Sequence, residues 1–230
     1  MKENAASMGM EYTAPKGQGV AIGVGIGAGR ASISEGAHTF TGKTNGVEWT
    51  VKSVVLAEAG THSGNRMGKQ YTRWSSEDFK AKGQDYLILM DLPENMKKEL
   101  QAQPKAPAGT GFLATMANKM ATMAFNMYAN GYFGKSQMEG TVFDQTHRQY
   151  WPTGAFAENY MVFSSNESFS KKLLDADTME FILKNRPFEF SFLINSNGIM
   201  ASCPLFVIEP EKIQTISKFC SELANKIKKG

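Results

Sequence analysis

Apolar and polar residues alternate along two stretches of the chain and recur at steps of three and four along two others. From Ala37 onward, His38, Phe40, Val47, Trp49 and Val51 hold one phase, with Glu48, Thr50 and Lys52 between the last of them. Period two is the spacing of a half-buried strand. Asn45-Gly46 divides this stretch. That dipeptide accepts the positive φ angles of a tight turn, so the pattern predicts a hairpin over 37–44 and 47–58. Phe188, Phe190, Phe192 and Ile194 alternate in the same way, Asn195-Ser-Asn-Gly198 turns the chain, and Ile199 to Val207 returns as a second hairpin. Tyr86 to Met90 is an apolar run between Asp85 and Asp91, short enough to read as a strand buried on both faces. Further strands are expected from Tyr71-Thr-Arg-Trp74, at Val142-Phe143 and along Phe156 to Phe163.

The period then changes. Leu113, Met116, Met120, Met123 and Met127 lie on one face of a helix predicted over 112–129, with an alanine stripe beside them and Asn130-Gly131 as its stop. Ile213, Ile216, Cys220, Leu223 and Ile227 make the stripe of a C-terminal helix that Pro210 opens. Shorter helices are expected over 93–100, after Asn166, and from the capping box Asp177-Thr-Met-Glu180. These elements define an α+β fold: a mainly antiparallel sheet packed by a central Met-rich helix and a C-terminal amphipathic helix. Residues 1–18 read as a flexible arm and 19–230 as one domain, with a sub-boundary near 101–111 where prolines and glycine cluster.

Composition narrows the function classes. The 230 residues are 42% hydrophobic and 20% charged, with a net charge of +3. So small an excess disfavours nucleic acid, whose readers gather many Lys and Arg on one face. No run of about 18 apolar residues is present, so no membrane-spanning helix is expected. Gly19 to Gly29 is apolar but short and glycine-rich, and reads as an extended segment or loop. Cys203 and Cys220 are expected as buried apolar residues in a reducing compartment, and neither sits in a metal-binding spacing.

Two tempting motifs fail on context. Ala37-His-Thr-Phe-Thr-Gly-Lys-Thr44 fits a permissive phosphate-loop pattern, but a turn and a strand follow it where that loop needs a helix. Gly23-Val-Gly25-Ile-Gly27-Ala28 imitates a dinucleotide fingerprint without the βαβ unit around it. Asp144, His147 and His62 are the candidate catalytic groups, with no partner spacing that requires catalysis. Candidate contact residues are Arg66, Lys69, Tyr71, Arg73 and Trp74 in or beside a loop over 60–74, and the Met116, Met120, Met123 and Met127 face. No cofactor and no metal are expected.

Phe156, Tyr160-Met-Val-Phe-Ser-Ser165 and Leu173-Leu-Asp-Ala-Asp-Thr-Met-Glu-Phe-Ile-Leu183 resemble part of a bacterial family of uncharacterised domains, often membrane-tethered in other members. The resemblance covers about residues 142–205. It implies an aromatic-rich strand, a short helix, a second helix and a strand pair, and it carries no activity or functional residue. The expectation is a non-catalytic interaction module with a protein partner, cytoplasmic or peripheral to the inner membrane. The alternative is a hydrolase or transferase whose site assembles from distant loops.

Overall fold

The computed structural model of the chain describes residues 1–15, 37–56, 69–91, 123, 126, 129–141 and 147–229. Its frame is an antiparallel sheet of nine strands: β1 (Glu11–Thr13), β2 (His38–Thr44), β3 (Val47–Leu56), β4 (Lys69–Ser76), β5 (Leu87–Asp91), β6 (Arg148–Gln149), β7 (Tyr160–Ser164), β8 (Ser191–Asn195) and β9 (Gly198–Cys203). They lie in the order β1-β2-β3-β4-β9-β8-β5-β7-β6. The helices are α1 (Lys2–Ser7), α2 (Gly154–Asn159), α3 (Glu167–Leu173), α4 (Ala176–Asn185) and α5 (Pro210–Lys229), and residues 129–133 are also helical.

Register explains the layers. One row of paired residues crosses the whole sheet: Tyr12, Phe40, Val51, Trp74, Ala201, Phe192, Leu89, Val162 and Gln149. All of these between the two ends are buried apolar side chains. Because side chains alternate across a strand, they share one face with their i±2 neighbours. Against that face lies α5, which crosses β2, β3 and β4 and packs on α4. Its stripe of Ile213, Ile216, Phe219, Cys220, Leu223 and Ile227 is buried, and Ser217, Ser221 and Ala224 beside it are small enough for a close approach. Phe219 stacks on Phe181 of α4 at 5.5 Å between ring centroids and meets Phe190 edge-on at 5.2 Å. The opposite face carries a second, smaller core, where Tyr86, Ile88, Met90, Met161, Phe163, Leu193 and Met200 meet Ala129, Tyr132, Phe133 and Met138.

Both hairpins form about the expected turns, the second over a shorter span, since β8 begins at Ser191 rather than Phe188 and β9 ends at Cys203 rather than Val207. Asn45 (φ 51°) and Gly46 (φ 82°) both take the left-handed region, the requirement of a type I′ turn. β5 is buried along its whole length between β8 and β7, as an unbroken apolar run requires.

Other expectations are corrected. The first residues are no loose arm: α1 buries Ala5, Met10 is buried, and β1 pairs with β2. The strand expected from Tyr71 begins two residues earlier, at Lys69. Phe156 lies in α2, and the strand begins only at Tyr160; Ala155, Ala157 and Glu158 favour the helical turn. The helix expected to stop at Asn130-Gly131 continues to Phe133 and ends at Gly134 (φ 90°). Tyr132 and Phe133 are buried, so packing of these aromatics carries the helix past a weak stop signal. Met123 is helical and 59% exposed, so it is not a core residue. The cap of α4 is Asp175, whose carboxylate accepts from Thr178 N at 2.8 Å, two residues before the expected Asp177. Asn166 caps α3 by accepting from Ser168 N and Phe169 N, as expected. The segment 19–29, the helix over 93–100, the sub-boundary near 101–111 and Val142-Phe143 lie outside the described residues.

Two substitutions test this frame. Gly198 opens β9 at φ 130°, and a Cβ there would stand 2.4 Å from the Ser76 carbonyl oxygen. Gly198→Ala is therefore expected to cost about 3 kcal/mol in urea unfolding, whereas Gly83→Ala, at φ 61° in open space, costs about 1 kcal/mol. The hydrogen bonds from Thr178 hold the Asp175 carboxyl below its ordinary range. A carboxylate depressed in the folded state stabilises above its unfolded pKa of about 3.9 and loses that effect as pH falls through the folded value. Asp175→Ala should thus lower stability by about 1 kcal/mol at neutral pH, and denaturation curves taken through the acid range should show the two proteins converge.

Candidate functional site

On the second face the row next to the buried one changes character midway across the sheet. Glu11, Thr41, Thr50 and Ser75 pair in sequence from β1 to β4, and then Met200, Leu193, Ile88 and Phe163 continue the row through β9, β8, β5 and β7. The apolar half is buried beneath residues 129–138; in the polar half Glu11 is exposed and the three hydroxyl residues are half-buried. The same strands that bury Val47, Trp49 and Val51 on one side turn Glu48, Thr50 and Lys52 to the other. Half of this face therefore stands free of the second core.

Over the polar half lies a groove of about 660 Å³. Thr41, Thr50 and Ser75 form its floor; Glu11, Lys43, Glu48, Glu77 and Asp78 form its rim. The rim is braced. Lys43 pairs with Glu48 at 3.3 Å, Asp78 accepts from Glu48 N at 2.8 Å, and Lys80 pairs with Glu77 at 3.0 Å. Four carboxylates against the ammonium groups of Lys43 and Lys80 still leave the groove a negative balance in a chain of net charge +3.

Arg73 marks where the covered half begins. It sits in the next row, paired with Lys52 and Ser202, and its guanidinium donates to Gly131 O and Tyr132 O, each at 2.6 Å. These are carbonyls of the last helical turn, which lack partners within the helix and attract positive charge. Ser202 Oγ also donates to Tyr132 O at 2.8 Å. Burial lowers the pKa of Arg73 from its ordinary value, and interaction with Tyr71 opposes that shift.

Of the residues predicted for contact, Trp74 is wholly buried and Tyr71 nearly so, which removes both from any exposed surface; they alternate on β4 and fill opposite cores. Arg73 is engaged in anchoring the helix, and Lys69 begins β4. Met123 is exposed. Arg66, Met116, Met120, Met127, His62 and Asp144 lie outside the described residues. His147 accepts or donates at Nδ1 with the buried Tyr86 hydroxyl at 2.7 Å, and neither residue lines the groove.

A second polar cluster joins α4 to the sheet. Arg186 donates to Tyr160 OH at 3.0 Å and to Asn159 Oδ1 at 2.8 Å, with the Asp91 carboxylate 3.6 Å away. Burial raises the Tyr160 pKa well above the phenol range, against the opposing bond from Arg186. A phenol held neutral in this way is a poor base, so the cluster acts as a tether. Among the described residues no group of three or more His, Cys, Asp or Glu is placed to hold a metal, and no helix is long and apolar enough to cross a membrane.

The groove residues Thr41, Thr50, Ser75, Glu77 and Asp78 were not singled out from sequence. The available signal was the polar phase of the first hairpin, which marks an open face without saying that β4 extends it.

Compared with known proteins, the chain matches no protein-family model, no curated protein and no solved structure.

Arg73→Met keeps the aliphatic stem and removes both bonds to the helix end. It should cost about 2–4 kcal/mol in denaturant unfolding, because two charge-assisted bonds are lost, leaving Gly131 O without this donor and Tyr132 O with Ser202 Oγ.

Proposed function

We propose that the chain is a non-catalytic interaction module that receives a protein partner in the polar groove over β1–β4. The observation carrying this reading is the midway change from hydroxyl and charged residues to buried apolar ones along one register row. A sheet face that served only the core would be apolar from edge to edge.

The groove is broad and shallow in chemistry: hydroxyls that accept or donate, and charges on its rim. The groups whose acidity burial displaces most, Tyr160, Cys203 and Cys220, lie elsewhere. Perturbed groups gathered in a cleft are what an enzyme site would show. The negative balance favours a segment bearing Lys or Arg and works against phosphate backbones and anionic headgroups. A protein partner therefore fits better than a nucleic acid or a membrane surface. The hydrolase alternative gains no support from His147, whose Nδ1 is committed to Tyr86.

Titration calorimetry with an oligolysine peptide tests the reading. Binding should weaken as salt rises and fall about tenfold, some 1.4 kcal/mol, in a Glu11→Lys, Glu77→Lys double variant. Both residues are exposed, so the double variant should keep the parent's unfolding midpoint closely. Equal binding by the variant, or equal binding of oligoglutamate, contradicts the assignment.

A further inference from the structure

The chain has two cysteines, and they come from different elements: Cys203 ends β9 and Cys220 lies within α5. Both line one small cavity between the helix and the sheet, and both are free thiols. Phe190, Ala201, Ile216 and Phe219 supply apolar walls, and the rim reaches the half-buried Pro187 and Phe188. The space is about 20 Å³, room for about one small group. Cys220 also senses the other thiol, since the Cys203 charge contributes to its upward displacement.

The surroundings set the reactivity. Burial pushes the Cys203 thiol up to about 11, and Cys220 is raised well above the thiol range by burial first and by Cys203 second. Thiolate is the attacking species in disulfide exchange, so a docked α5 keeps the pair slow to react. Any opening at the Phe188 rim admits water and oxidant to both sulfurs together.

We propose that Cys203 and Cys220 form a reversible dithiol–disulfide latch that fastens α5 to β9 when low-molecular-weight disulfides accumulate. In the balanced exchange both S–H bonds break and one S–S bond forms. The two electrons and two protons reduce a glutathione disulfide to two glutathione thiols. The bond closes the chain from Cys203 through the first half of α5, holding the helix that covers β2–β4.

Incubation of the whole chain with oxidised glutathione at mildly alkaline pH, followed by intact-mass analysis and thiol titration, tests the latch. The expected product has lost two hydrogens, carries no glutathione, shows no free thiol, and unfolds at a higher temperature that dithiothreitol restores. C203S and C220S should each abolish that shift in unfolding temperature. Glutathione retained on either cysteine, cross-linking to a second chain, or two thiols still unreacted in sub-denaturing urea would overturn the proposal.

Discussion

Everything in this molecule hangs on one apolar contact, the seat of α5 on the continuous row of side chains that crosses the sheet. Phe40, Val51 and Trp74 are 0% exposed on the strands that α5 crosses, and Ile213 and Leu223 are 0% exposed on the helix. Burial of each such side chain stabilises by about 1.5–3 kcal/mol, so the helix seat outweighs any single polar contact elsewhere in the fold. Because strands alternate, committing this phase to the core commits the other phase of β2 and β3 to the opposite side. The polar face is a consequence of the apolar one.

That second face is divided between two uses. From β9 to β7, with Tyr71 of β4, it closes a second core under the helical turn at 129–133, and along the row from Glu11 to Ser75 across β1–β4 it remains polar. Arg73 stands at the division and spends its charge on the helix carbonyls. The hairpin β8–β9 is held from the same side, with Asn195 and Asn197 donating to Gln137 O and Asn197 also to Glu139 O. The covering segment is thus fixed by polar bonds at its edge and by aromatic packing at its centre. The groove inherits a rigid floor, because Thr41, Thr50 and Ser75 are strand residues whose backbones are locked in the sheet on both sides.

Much of the fold was legible where periodicity is strong. Phe192 and Ile194, Val47 to Val51, Leu87 to Met90 and the stripe from Ile213 to Ile227 fall in elements of the expected kind, whereas Phe188 and Phe190 precede the strand, which begins at Ser191. Local signals failed where tertiary packing decided. Asn130-Gly131 has the chemistry of a helix stop, yet burial of Tyr132 and Phe133 carries the helix through it. Residues 1–18 show no period, but Ala5 and Met10 still find the main core, and a three-residue strand is too short to leave a pattern. Tyr71 to Trp74 reads both as a strand and as a contact surface; the strand forms, but as an inner one its aromatics point into two cores and Arg73 reaches a helix end. The groove was half legible: the polar phase of β3 is plain in the sequence, but its extension by Ser75, Glu77 and Asp78 depends on a pairing with β4 that no local pattern announces.

The division of phases on β3 is the claim on which the groove stands, and thiol labelling reads it directly because the native cysteines are buried. Single substitutions Glu48→Cys and Lys52→Cys should react with a maleimide at rates near those of the unfolded chain, while Val47→Cys and Val51→Cys react at least about a hundredfold more slowly, through opening of the core. Equal rates at all four positions, or protection of 48 and 52 with reaction at 47 and 51, would contradict it.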